Sequence, residues 1–82
     1  MTEPEIRTTV LAQLKQIAPE ANYAELPGDA DLREELDIDS MDFNKFVLLL
    51  HGALGVDVAE KDYPKLFTLN GCVRELAARL GR

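Results

Sequence analysis

Residues 39–55, DSMDFNKFVLLLHGALG, decide the fold of this 82-residue chain. The run from Met41 to Leu54 is rich in helix formers, follows a polar pair suited to capping, and stops at Gly55. At about 100° per residue, most of its large apolar residues fall on one side of a helix. The sequence therefore predicts one long amphipathic helix in the middle of the chain, against which the flanking segments must pack.

The segment before this helix predicts a second long helix and a long loop. Apolar residues recur every three or four positions over residues 4–18, after Thr2 as a cap and before Pro19 as a stop. The residues that follow carry turn formers and only scattered apolar anchors, with one helical turn expected around residues 31–35. Because long loops inside compact domains tend to be functional, this loop is a candidate part of the site.

The segment after Gly55 predicts two more helices. Asp62 and Pro64 open a short helix that contains Leu66 and Phe67, and Thr68 then caps a last helix. The last helix runs to residue 80 and closes at residue 81. The prediction is an all-α, four-helix bundle of three longer helices and one short helix, with a long loop between the first and second helices, as one domain over residues 1–82. Its predicted core is Ile6, Val10, Leu14, Ile17, Leu36, Phe43, Phe46, Val47, Leu50, Leu54, Val58, Leu66, Phe67, Leu69, Val73, Leu76 and Leu80.

Composition excludes several classes of function. Fifteen acidic residues against nine Lys and Arg give a net charge of -6, which disfavours nucleic acid and anionic membranes and favours a basic protein partner. No apolar run approaches the roughly 18 residues that span a bilayer, so we expect no membrane insertion. One cysteine and no signal-peptide pattern predict a cytoplasmic protein without a disulfide or a metal site. Cys72 is expected in the core and His51 on the surface.

Acidic residues surround one hydroxyl, that of Ser40. If Asp39 is the helix cap, Ser40 takes the first helical position and its hydroxyl has no obligatory partner. The alternative is that Ser40 is itself an N-cap serine, although position 43 lacks the Glu or Gln of a capping box. No histidine or lysine within reach of Ser40 is expected to act as its base, so Ser40 suits modification by another enzyme better than catalysis. Capping explains Asp39 and Asp42, and the five other acids favour a cationic partner over a merely solvated face. The acids are Asp29, Asp31, Glu34, Glu35, Asp37, Asp39 and Asp42.

Two large apolar residues, Met41 and Leu48, fall on the side of the middle helix opposite to its core face, together with Lys45. Such a pair beside a polar cluster predicts a docking patch, against the alternatives of incidental exposure and of contact with the long loop.

Residues 36–43, LDIDSMDF, resemble the phosphopantetheine attachment motif of acyl carrier proteins, and the order of elements resembles that family over essentially the whole chain. The resemblance implies a carrier, not an enzyme, in which a phosphopantetheinyl transferase using Mg²⁺ moves 4'-phosphopantetheine from coenzyme A to Ser40. Acyl thioesters on that arm would be delivered by a monomer to acyl-transferring, acyl-activating and synthase enzymes with basic docking surfaces. It also implies that Asp39, Met41 and Asp42 flank the cofactor, and that Asp37, Met41, Asp42, Lys45 and Leu48 face partners.

Two departures from the family pattern refine this expectation. Asp37 stands where the family usually has glycine, and Lys45, His51 and Gly52 stand where typical carriers of fatty acid synthesis keep acids. The second departure suggests a dedicated carrier, so fatty acid, specialised lipid and polyketide-type synthesis all stay open. Two alternatives also remain, an aminoacyl or peptidyl carrier and an unmodified acidic interaction module. The intact pair of Asp39 and Ser40 gives no support to the latter.

Overall fold

Helices account for the regular structure in the computed structural model, which describes residues 2–81. Within those residues there is no strand, only an isolated antiparallel bridge between Asp31 and Thr68. The elements in chain order are α1 (Glu3–Ile17), a first 3₁₀ helix (Tyr23–Glu25), α2 (Leu32–Glu35), α3 (Ser40–Leu54), a second 3₁₀ helix (Glu60–Leu66) and α4 (Leu69–Arg79). The predicted all-α bundle with a long loop before α3 is confirmed.

The predicted caps of α1 and α4 form as hydrogen bonds. The hydroxyl of Thr2 accepts from the N–H of Glu5 at 3.3 Å, and the Glu5 carboxylate accepts from the N–H of Thr2 at 2.8 Å. The hydroxyl of Thr68 accepts from the N–H of Gly71 at 3.0 Å. Each contact satisfies an amide that the first turn of a helix leaves unpaired, so the sequence alone sets where these helices begin.

The short helix before α4 differs from the prediction. It begins at Glu60, ahead of Asp62, it is a 3₁₀ helix, and Phe67 forms its C-terminal cap instead of lying within it. The prediction relied on the preference of proline for a first helical turn, whereas Pro64 lies inside the 3₁₀ helix. An ion pair of 3.1 Å between Arg79 and Asp62 connects this segment to α4. Local helix propensity cannot predict such a tertiary contact.

One apolar core joins α1, α3 and α4 and extends under the loops. Five predicted core residues lie at its edge instead, half-buried and packed against it. They are Ile17, Leu36, Leu54, Phe67 and Leu80. Four residues outside the prediction are buried. They are Leu32, Ile38, Val56 and Ala77. Cys72 is fully buried, as predicted.

An aromatic cluster holds the start of α3 against the chain that precedes α4. The ring of Phe43 meets three others edge-on, those of Phe46, Tyr63 and Phe67, at centroid distances of 5.7, 5.8 and 5.2 Å. The guanidinium of Arg33 lies 3.6 Å above the Phe67 ring, which adds α2, the short helix within the long loop, to the cluster. The loop, α3 and the second 3₁₀ helix therefore converge beside Ser40.

None of the helices within residues 2–81 has the length and apolar character needed to cross a membrane.

Leu50 and Leu48 offer a matched test of this packing, because they lie on the same helix and are 1% and 62% exposed. Replacing Leu50 with alanine should lower the free energy of unfolding by about 2–5 kcal/mol, since it leaves a cavity in the core. The control Leu48→Ala should change it by less than about 0.5 kcal/mol. Urea denaturation followed by circular dichroism measures both. Equal losses would mean that Leu48 is also a core residue.

Candidate functional site

Asp39, and not Ser40, is the N-terminal cap of α3. Its backbone is extended, and its Oδ1 accepts from the N–H of Asp42 at 2.8 Å. In return, Oδ2 of Asp42 accepts from the N–H of Asp39 at 3.5 Å, which completes a capping box. Ser40 is therefore the first helical residue and not the cap, which decides between the two alternatives that the sequence left open.

The hydroxyl of Ser40 is available for chemistry. Its side chain is exposed, and no hydrogen bond within residues 2–81 engages its Oγ. His51, the single histidine of the chain, lies near the other end of α3, about 16 Å away along the helix axis. Its Nδ1 lies 3.3 Å from the carbonyl oxygen of Val56. Ser40 thus has no histidine base within the chain, which fits modification by another protein.

A groove of about 530 Å³ opens beside Ser40. Ser40, Asn44 and Leu48 line it at successive turns of α3, because residues four apart share one face of a helix. Tyr63 and Phe67 line it from the second 3₁₀ helix and its cap. The other lining residues are Arg33, Met41, Phe43, Lys45 and Glu60.

This groove is not among the features predicted from the sequence, because its two walls come from distant parts of the chain. The repeat of Ser40, Asn44 and Leu48 was a usable signal for one wall. The other wall depends on how the second 3₁₀ helix packs, and no local sequence pattern predicts that packing.

The predicted partner-facing residues divide between two surfaces. Met41 and Leu48 are 78% and 62% exposed, and with Lys45 they line the groove. Asp37 and Asp42 instead line a separate depression of about 390 Å³. Its other lining residues are Ile17, Ala18, Pro19, Glu20, Ala21, Glu35, Leu36 and Ile38. The groove is thus the apolar surface, and the depression is the acidic one.

Two acids near Ser40, Asp29 and Asp31, have structural partners, in addition to the two acids that cap α3. Asp29 accepts from the Asn70 amide at 2.9 Å. Asp31 caps α2 and pairs with Arg33 at 2.7 Å, and this bond to the guanidinium lowers the pKa of the Asp31 carboxyl. Glu34, Glu35 and Asp37 are exposed, and no ion pair within residues 2–81 includes them. These three acids, together with Asp39 and Asp42 at the start of α3, form the negative surface available to a partner.

Asp37 has a positive φ of 53°, which makes it the one non-glycine residue of this kind within residues 2–81. Aspartate tolerates this left-handed region better than most residues, yet glycine adopts it without a steric penalty. The turn is closed by the N–H of Ile38, which donates to the carbonyl of Arg33 at 3.1 Å. The family usually has glycine at this position. The backbone of Asp37 adopts the left-handed conformation that a glycine would adopt without strain.

Cys72 is a poor candidate for chemistry. Its side chain is fully buried, and this burial raises the pKa of its thiol to about 12. The thiol therefore stays protonated and inaccessible at neutral pH. Over residues 2–81 there is also no group of three or more His, Cys, Asp or Glu side chains placed to hold a metal ion.

Residues 5–80 match the protein family described as "Phosphopantetheine attachment site". The chain belongs to the acyl carrier protein family. It is also 32% identical over 83 residues to "Polyketide-8 synthase acyl carrier protein 2" of Streptomyces avermitilis, an alignment that covers 95% of each chain. The resemblance noted in the sequence is confirmed over nearly the full length.

Membership in the acyl carrier proteins establishes the general chemistry. Such proteins hold a covalent phosphopantetheine group and are carriers, not catalysts, as predicted. They work with a phosphopantetheinyl transferase and with synthase enzymes. Covalent attachment needs an exposed nucleophilic oxygen with space beside it, and the unengaged hydroxyl of Ser40 at the mouth of the groove meets both needs.

Replacing Asp37 with glycine should raise the free energy of unfolding by about 1 kcal/mol or less. Relief of the strained backbone outweighs the greater freedom of glycine in the unfolded chain. Asp37→Ala is the matched control, because it removes the same charge but keeps the Cβ. We expect it to be less stable than the glycine variant in urea denaturation. Equal stabilities would show that charge, and not backbone strain, governs this position.

Proposed function

We propose that Ser40 carries 4'-phosphopantetheine and that this chain delivers acyl intermediates, as thioesters on that arm, to enzymes of a polyketide-type synthesis. The observation that carries the attachment site is the exposed Ser40 hydroxyl, placed at the first position of α3 by the Asp39 cap and free of hydrogen bonds within residues 2–81. The likeness to a carrier named for a polyketide synthase favours that pathway over fatty acid synthesis. Lys45 stands where typical carriers of fatty acid synthesis keep an acid, which also favours a polyketide-type pathway.

Attachment would proceed by phosphoryl transfer on a transferase. Oγ of Ser40 forms a bond to the phosphorus that bears the pantetheine, the pyrophosphate bond of coenzyme A breaks, and adenosine 3',5'-bisphosphate leaves. The hydroxyl proton goes to a base of the transferase, because the chain offers no histidine nearby. At the first turn of α3 the positive helix dipole favours the anionic product, whereas the carboxylates of Asp39 and Asp42 oppose it.

The arm supplies a thiol, whose thioester activates the acyl carbonyl for partner enzymes. The chain itself must not divert that acyl group. Cys72 is the single cysteine, and it is fully buried with a raised thiol pKa, so it cannot accept an acyl group from the arm. The acyl group therefore stays on the arm until a partner removes it.

Partners would bind on both sides of Ser40. Met41 and Leu48 offer exposed apolar area, which suits burial at an interface core. Asp37 and Asp42 offer carboxylates in the depression on the other side, which suits basic residues of a partner. Apolar contact on one side and charge on the other would fix the orientation in which Ser40 meets an active site.

Incubating the chain with coenzyme A, Mg²⁺ and a broad-specificity phosphopantetheinyl transferase should add one phosphopantetheine to the intact mass. Ser40→Ala should gain nothing. A maleimide should then label the modified chain once and the unmodified chain hardly at all, because Cys72 is buried. The absence of any mass increment with several transferases would favour the unmodified interaction module instead.

Replacing Met41 or Leu48 with glutamate should slow modification or acyl transfer at least about fivefold, because losing a central docking contact weakens binding by about 1 kcal/mol or more. Folding should persist in both variants, since both side chains are exposed. Ala12→Glu is the control, because Ala12 is exposed on α1 and the change adds the same charge. Thermal melts and transfer rates measure these effects. If either variant unfolds, or if the control slows transfer equally, the docking surface is misplaced.

A further inference from the structure

Asn44 lies in the groove one helical turn beyond Ser40. Its side-chain oxygen Oδ1 accepts from the hydroxyl of Tyr63 at 3.0 Å, across the gap between α3 and the second 3₁₀ helix. This bond orients the carboxamide, because Oδ1 faces the phenol and Nδ2 faces away from it. Asn44 is exposed, and no hydrogen bond within residues 2–81 uses its Nδ2. The groove therefore presents an oriented amide donor without a partner.

We propose that Asn44 binds the phosphopantetheine arm, with its Nδ2 donating to the carbonyl oxygen of the arm's first amide, and that Tyr63 is a positioning residue for this contact. The inference rests on the proposed attachment at Ser40. In this proposal the arm occupies the groove, and Asn44 is the residue that binds it.

The dimensions of the arm and of the helix agree. Asn44 lies about 6 Å from Ser40 along the helix axis, and Leu48 lies about 12 Å from it. At about 1.2 Å per bond, the six bonds from Oγ to the first amide carbon of an extended arm span roughly 7 Å. The sulfur would lie roughly 17 Å from Oγ by the same measure, beyond Leu48. An arm lying straight in the groove therefore brings its first amide to Asn44, and its acyl group lies past the groove.

The charges of the groove also suit the arm. The chain as a whole has a net charge of -6, yet the groove is lined by two cations, Lys45 and Arg33, of which Arg33 is already paired with Asp31, and by one anion, Glu60. A phosphodiester on Ser40 carries negative charge, which the acidic depression would repel and these cations would attract. Met41 and Leu48 supply apolar area for the hydrocarbon part of the arm. The groove thus contains both charged groups and apolar area for contact with the arm.

The test is nuclear magnetic resonance of ¹³C,¹⁵N-labelled protein bearing an unlabelled arm, after intact mass has confirmed loading. In the wild-type protein, the Nδ2 protons of Asn44 should shift on loading and show cross-peaks to the arm. The resonances of the arm's first amide and adjacent methyl groups should differ from those of free phosphopantetheine. Arm resonances that coincide with those of the free compound, on a chain that is loaded, would overturn this inference and leave the proposed attachment intact. Failure to load at Ser40 would instead overturn the proposed function.

Matched variants separate binding from structure. Asn44→Asp keeps the acceptor for Tyr63 but lacks the donor, so the arm's shifts should return to the free values. Tyr63→Phe keeps the ring but lacks the hydroxyl, so the shifts should be reduced. Asn22→Asp adds the same charge at an exposed residue outside the groove, and its arm should match that of the wild type. Unchanged arm shifts in both Asn44→Asp and Tyr63→Phe would show that neither residue holds the arm.

Discussion

The hydrogen bond from the N–H of Asp42 to Oδ1 of Asp39, at 2.8 Å, fixes where α3 begins, and the rest of the structure follows from that register. Had Ser40 been the cap, its oxygen would have been engaged by the backbone and would not be free for attachment. The same register turns Phe46 and Leu50 into the core and places Asn44 one turn above Ser40. One local interaction thus sets both the buried side of α3 and the side that faces the groove.

Packing and function are coupled at Phe43. Its side chain is 3% exposed, yet it also forms part of the groove lining and contacts the ring of Tyr63. The edge-on contacts with Phe67 and Tyr63 hold the second 3₁₀ helix at a fixed distance from α3. Arg79 secures the other side of that segment through Asp62. The groove wall is therefore attached to the core through Phe43 and to α4 through Arg79.

Features that depend on near neighbours in the chain were predictable from the sequence, and features that depend on distant contacts were not. The caps at Thr2, Asp39 and Thr68 each involve residues three positions apart, so their signals stand in the sequence itself. The bounds of the second 3₁₀ helix reflect a contact with Arg79 across 17 positions, and the groove reflects a contact between Asn44 and Tyr63 across 19. Three residues outside the long helices are buried without any period to reveal them. They are Leu32, Ile38 and Val56.

At Asp37, conformation and charge favour different residues. Its φ of 53° suits glycine, and a non-glycine residue there costs about 1–3 kcal/mol. A glycine would remove that strain, but it would also remove a carboxylate from the depression that Glu35 and Asp42 line. Strain of this kind persists only where the surroundings determine the backbone, and here the bond from Ile38 to Arg33 closes the turn. A basic partner would offset the cost of this strain by pairing with the Asp37 carboxylate. Such pairing requires no change in the closed turn.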